Sequence, residues 1–195
     1  VGPYNQARAN DVGRDFRRVM QNETFVQLHP QLELDSRTTS MDYLETTKGG
    51  KMSFVGVGAG ATGKRAHVFV VDDPFKDMEE ADSELMRKKV DDWFMSVAYT
   101  RMLPGGGIII LHTRWHEDDL IGRRLAAAKL GGDQWMSYKF PLVATQDEYK
   151  ADGTLRRKKD QSLHPERFPE EMCRKMKDTY YASKQGRIWS ALYQQ

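Results

Sequence analysis

The stretch His67-Val-Phe-Val-Val-Asp72-Asp73-Pro74 constrains this chain more than any other. Four apolar residues, three of them valine, run straight into two carboxylates and a proline. So short and β-branched a run predicts a strand buried on both faces, and the proline ends its hydrogen-bonding ladder. Such a strand carries both acids to the carboxyl edge of a sheet, where open α/β proteins bind their ligands. An ordinary Asp-Asp-Pro turn accounts for the same letters, since both residue types favour turns. The rest of the chain has to decide between them.

At 195 residues the chain is long enough for one domain with a sizeable core. Hydrophobic residues make up 39% and charged residues 30%, as in soluble globular proteins. No apolar run approaches the ~20 residues needed to cross a bilayer, and the first residues lack a basic-then-apolar signal pattern. The single cysteine, Cys173, excludes an internal disulfide and a cysteine-rich zinc site, which makes a reducing cytoplasm the expectation. The net charge of +2 is no nucleic-acid signature. Arg156-Arg-Lys-Lys159 and the group Arg14, Arg17 and Arg18 read first as solvated surface.

Along the chain, helical spacing of Val12, Phe16 and Val19 or Met20 predicts a helix over 8–20. Residues 25–48 carry weak strand signals. Strands are predicted over 52–58 and 66–72, joined by a turn-rich link and adjacent in the sheet, as a hairpin would be. A long helix is predicted over 78–101, ended by Pro104-Gly-Gly-Gly107, and a second buried strand over 108–112. Residues 117–130 read as a helix whose early acids and later bases suit its dipole. A strand follows over 135–143, then a turn at Asp152-Gly153, and a helix opening at Pro169-Glu-Glu171. Strand alternating with helix predicts an α/β fold with a mainly parallel sheet and flanking helices.

Gly58-Ala-Gly-Ala-Thr-Gly63-Lys64 matches G-x-x-x-x-G-K, most of a phosphate-binding loop. Two features disqualify it. The next residue is Arg65, where a hydroxyl should hold Mg²⁺. The loop also leads into a strand, whereas the motif needs a helix start whose free N–H groups face the phosphates.

The strand ending at Ile108-Ile-Ile-Leu-His112 continues as Thr113-Arg-Trp-His-Glu-Asp-Asp-Leu120. Thr113 and Arg114 are expected at the same sheet edge as Asp72 and Asp73, where a hydroxyl and a cation can sense a phosphate or an attacking water. His112 and His116 do not form the H-E-x-x-H helix of a zinc site. Helix capping by the acids at 117–119 is the simpler role for that run.

Taken in order, these blocks resemble the ATPase domain of the large terminases of tailed bacteriophages. The resemblance runs from about residue 50 onward. It rests on the glycine-rich link into Val68-Phe-Val-Val-Asp-Asp-Pro74, on Glu79-Glu-Ala-Asp-Ser-Glu84 and Trp93, and on Tyr99-Thr-Arg-Met-Leu-Pro-Gly105. The blocks Thr113–Leu120, Pro165-Glu-Arg-Phe-Pro169 and Ala191-Leu-Tyr-Gln-Gln195 complete it. It implies a P-loop NTPase-like fold, incomplete at the amino end, that uses ATP and Mg²⁺ to drive double-stranded DNA into a capsid. It implies Asp72 as the Walker B acid for Mg²⁺, held through water, and Asp73 as the carboxylate that orients the attacking water. Thr113, with Arg114, would couple hydrolysis to movement, and Lys64 or Arg65 would be a cation acting on a neighbouring subunit. The implied partners are DNA, the portal protein, the small terminase subunit and further copies in a ring, in the cytoplasm of a phage-infected or lysogenic bacterium and with no membrane. Residues 1–143 would be the later part of the ATPase core and 144–195 its helical or linker part. Neither a Walker A loop nor a nuclease domain is found, so the chain alone is expected to be inactive. A helicase-like ATPase and a non-catalytic assembly or nucleic-acid-binding module are the alternatives.

Overall fold

The computed structural model describes residues 1–38, 40–60 and 63–194. The chain forms two compact units, Val1–His112 and Thr113–Gln195, so the break falls earlier than the expected boundary at 143. Residues 142–144 belong with the second unit because of where their backbone bonds go. Leu142 N donates to Tyr193 O (2.6 Å), Leu163 N to Leu142 O (2.6 Å) and Ala144 N to Gln161 O (3.0 Å). No helix among the described residues is long and apolar enough to cross a membrane.

The first unit is mixed α/β around a small parallel sheet. Strand β3 (Ala66–Asp72) pairs in parallel with β4 (Met102–Leu111), with Val70 opposite Ile109 and Asp72 opposite Leu111. The two apolar runs are therefore neighbours with their carboxyl ends at one edge, as expected. Their burial is not as expected. Val68, Ile109 and Leu111 are 62%, 54% and 63% exposed. A continuous apolar run is buried on both faces only where other elements cover both faces, and among the described residues β4 pairs with β3 alone.

The other side of β3 is lined by the first residues of the chain. Gly2 N donates to Val70 O (2.7 Å), Asp72 N to Gly2 O (3.2 Å) and Tyr4 N to Asp73 O (3.1 Å). Beyond them, Val55 N donates to Val1 O and Val57 N to Pro3 O, both at 2.8 Å. Residues 1–3 thus lie between 55–57 and β3, which rules out the expected hairpin. Only β2 (Lys51–Ser53) of the predicted 52–58 strand is regular, and it pairs antiparallel with β1 (Tyr43–Glu45).

Helix α1 (Gln6–Met20) starts where Asn5 Oδ1 accepts Arg8 N at 2.8 Å, one of the N–H groups a helix start leaves unpaired. Its Ala9 packs with Leu44 and Phe54, supported by Val12, Leu34 and Met52. A large side chain buried like Phe54 contributes about 1.5–3 kcal/mol. A short α2 (Glu23–Leu28) follows. The predicted helix over 78–101 is broken into α3 (Met78–Asp82), α4 (Glu84–Trp93), one π turn (Phe94–Ala98) and one 3₁₀ turn (Tyr99–Arg101). The break comes at Ser83, whose hydroxyl accepts Met86 N as the cap of α4. Buried Arg87 then donates to the carbonyls of Ala81 (2.7 Å) and Asp82 (2.9 Å) at the end of α3.

In the second unit, α5 (Leu120–Lys129) is followed by a hairpin of β5 (Glu148–Tyr149) and β6 (Leu155–Arg157), then by α6 (Glu170–Ala182) and α7 (Gly186–Tyr193). The expected turn is present, with Lys150 N donating to Thr154 O around Gly153. The core joins Leu142, Cys173 and Trp189 with Phe168, Met176, Tyr180 and Tyr193. Arg157 is buried. It forks onto Glu148 (3.1 and 2.6 Å) and also donates to the carbonyls of Pro141 and Leu142. One member of the basic cluster is therefore a structural tie. The strand predicted over 135–143 is not formed. Val143 makes one isolated bridge to Ser162, and Met136, Tyr138 and Phe140 are exposed. Their alternation mimics a strand, but the ladder partner is lacking among the described residues.

Candidate functional site

At the carboxyl end of β3 the two acids differ sharply. Asp72 is half-buried and still in the ladder, whereas Asp73 is exposed with φ of 45°. That left-handed backbone is uncommon outside glycine, and aspartate is among the few residues that tolerate it. Asp73 is held there from both sides, its N–H donating to Leu111 O (2.9 Å) and its carbonyl accepting from Tyr4. Pro74 and Phe75 behind it are buried, and the Phe75 ring meets His112 edge-on at 6.1 Å. Strained backbone fixed by its surroundings is common where a side chain has to be presented for chemistry.

Burial pushes the Asp72 carboxyl above the ordinary aspartate range, and the neighbouring charge of Asp73 adds to the rise. The Arg8 guanidinium on α1 opposes it. The pair offers a half-buried carboxylate beside an exposed one. A single carboxylate at a sheet edge suits Mg²⁺, which keeps most of its water and binds through one or two carboxylates plus phosphate oxygens. No group of three His, Cys, Asp or Glu residues able to hold a metal occurs among the described residues.

The described residues of the loop 58–65 do not form the helix start that a triphosphate needs. Its described residues run into β3 at Ala66 without opening a helix, whereas a phosphate cradle uses the free N–H groups of a helix start. Its residues Ala61 and Thr62 lie outside the described residues. The loop is anchored instead as a structural link. Gln6 donates to Phe54 O (3.2 Å) and accepts from Gly56 N (3.0 Å), while Trp93 Nε1 donates to Ala59 O (3.2 Å). A side chain at Gly56 would come within 2.1 Å of the Asn5 backbone. Lys64 lies over the Tyr43 ring, 5.5 Å from its centroid, and Arg65 is exposed.

Thr113 stands two residues beyond Leu111, the ladder partner of Asp72, and is the first residue of the second unit. The segment it opens is tied down locally. Asp119, 1% exposed, caps α5 by accepting Gly122 N (2.8 Å), and its other oxygen accepts Arg114 Nε (2.5 Å). Asp118 receives both nitrogens of the Arg123 fork (2.9 and 2.7 Å), and Arg187 donates to Trp115 O (2.7 Å). At Gly122 a Cβ would sit 1.8 Å from the Glu117 carbonyl oxygen, so the turn requires glycine. Capping is thus the observed role of Asp119, and pairing with Arg123 that of Asp118. Arg114 is committed to Asp119.

Compared with family models, with characterised proteins and with solved structures, the chain matches none. Arg8 and Gln6 were not among the residues the sequence singled out. The signal within reach was Asn5, a standard capping residue that places the first turn of α1 directly after 1–3.

Proposed function

We propose that this chain is part of the ATPase motor of a viral DNA-packaging terminase large subunit, with a P-loop type of sheet. The observation that supports it best is the pair Asp72 and Asp73 at the carboxyl end of parallel β3, the second in a left-handed backbone. In this reading Asp72 holds Mg²⁺ through water, and the ion when bound offsets charge on the phosphates. Asp73, exposed and with its backbone held on both sides, orients the attacking water and accepts its proton. Thr113 couples that end of β4 to movement. Arg114 acts by holding its loop to Asp119, and Arg65 is a stronger candidate than Lys64 for a cation reaching a neighbouring subunit, because Lys64 lies over Tyr43. No phosphate cradle of the strand-loop-helix kind is formed among the described residues. Double-stranded DNA, the portal protein, the small subunit and a homo-oligomeric ring in the host cytoplasm belong to the same proposal.

The test is made in the full-length protein. Asp73→Asn is expected to cut ATP turnover by ~10²–10⁴-fold while nucleotide binding persists. Asp72→Asn should weaken Mg²⁺ affinity. Near-normal turnover in both variants would sink the proposal. That the described residues of 58–65 lead into a strand favours one rival, a non-catalytic module, and that rival is the one such a result would leave standing.

A further inference from the structure

The segment after β4 is braced within itself. Arg114 is held to Asp119, Asp119 caps α5, and Asp118 takes the Arg123 fork. Leu120, at the start of α5, is 1% exposed. These ties are local, each closing a turn. Arg187 is different. It lies in the first turn of α7, 72 positions beyond Trp115, and its guanidinium donates to the Trp115 carbonyl at 2.7 Å. Two residues further on, Trp189 is buried with Leu142 and Cys173, and its ring meets Tyr180 of α6 at 6.2 Å. One exposed side chain therefore joins the braced turn to the packed helices α6 and α7.

The place of Arg187 does nothing for its own helix. A cation in the first turn opposes the helix dipole, and α7 has no acid there and no side-chain cap to offset it. A surface bond from a charged donor to a neutral carbonyl adds little to the fold, yet it fixes the backbone that it grips. That backbone is two residues from Thr113, where the second unit begins. A shift of Thr113 along the chain has to move Trp115, and through Arg187 it moves α7.

We propose that Arg187 is a positioning residue for coupling, passing a displacement of Thr113-Arg114-Trp115 to the helices α6 and α7. This rests on the ATPase reading above, in which Thr113 links hydrolysis to movement.

The test compares hydrolysis with packaging in the full-length protein. Arg187→Gln should leave KM and kcat for Mg-ATP within about twofold. The length of DNA packaged per ATP should fall several-fold, up to about 30-fold, as for residues that carry coupling between sites. Arg187→Lys keeps one charged donor for the carbonyl and should recover part of that ratio. A fall in packaging matched by equal falls in hydrolysis and melting temperature would mark a structural tie and overturn the proposal. An unchanged ratio in Arg187→Gln beside a lowered ratio in Thr113→Ala overturns the role of Arg187 and leaves the coupling reading intact. A normal ratio in Thr113→Ala removes that reading and the Arg187 proposal with it.

Discussion

The end of β3 and the segment after β4 both looked like a strand running into charged residues, yet they are built on opposite terms. At 113–122 the principal charges are matched. Asp119 caps α5 and is paired with Arg114, Asp118 holds a forked arginine, and Arg187 secures the Trp115 carbonyl. At 72–73 like charges adjoin, one is half-buried, and the other sits in a disfavoured backbone. The first arrangement stabilises a fold. The second costs stability, and such cost is typical of residues kept for chemistry.

That contrast can be broken by mutation. The largest stability effect belongs to Gly122→Ala, where a methyl would overlap the Glu117 carbonyl. A loss of about 3 kcal/mol is expected by denaturant titration. Asp119→Ala comes next, at about 2 kcal/mol, from the lost cap and the broken pair with Arg114. Losses near zero at both positions would remove the structural reading of this segment.

Asp72→Asn should act with the opposite sign. Because the folded carboxyl titrates above its unfolded value, its contribution is fully present at acid pH. It is lost as pH rises through the raised pKa. The asparagine variant should therefore match wild type near pH 3 and be more stable at pH 7, by under about 1 kcal/mol since water still reaches the group. Equal melting temperatures at both pH values, or a loss at pH 7, would sink this account. The smallest stability effect is expected for Thr113→Ala, within about 0.5 kcal/mol in this chain. In the full-length protein it should slow DNA translocation more than it weakens ATP binding, and packaging at the normal rate would exclude the coupling role.

What could be read from the sequence follows from how each signal works. The parallel pairing of β3 and β4 was legible because two continuous β-branched runs suit no other common arrangement. Their exposure was not, because a run of valines and isoleucines reports what it can bury and says nothing of what covers it. The interruption at Ser83 was legible in principle, since Ser83-Glu84 is a capping signal inside an apolar period. The place of residues 1–3 beside β3 was not, because three residues carry no period. Within the candidate site, Asp72 and Asp73 announced themselves by position. The bonds that join Gly2 and Tyr4 to the backbone of Asp72 and Asp73 link residues about 70 positions apart, which no local pattern announces.

The outer edge of β4 has a practical consequence. Met102–Leu111 contains no charged side chain, and Ile109 and Leu111 are open to water. Natural sheets usually blunt such an edge with lysine, proline or a bulge, because unpaired N–H and C=O groups recruit other strands. Here Pro104 and the glycines after it blunt the first half, and the Ile-Ile-Ile-Leu half has no such guard. Self-association through that half should therefore set the solubility limit of the chain in isolation. A single lysine at Ile109 would raise that limit more than several changes elsewhere on the surface.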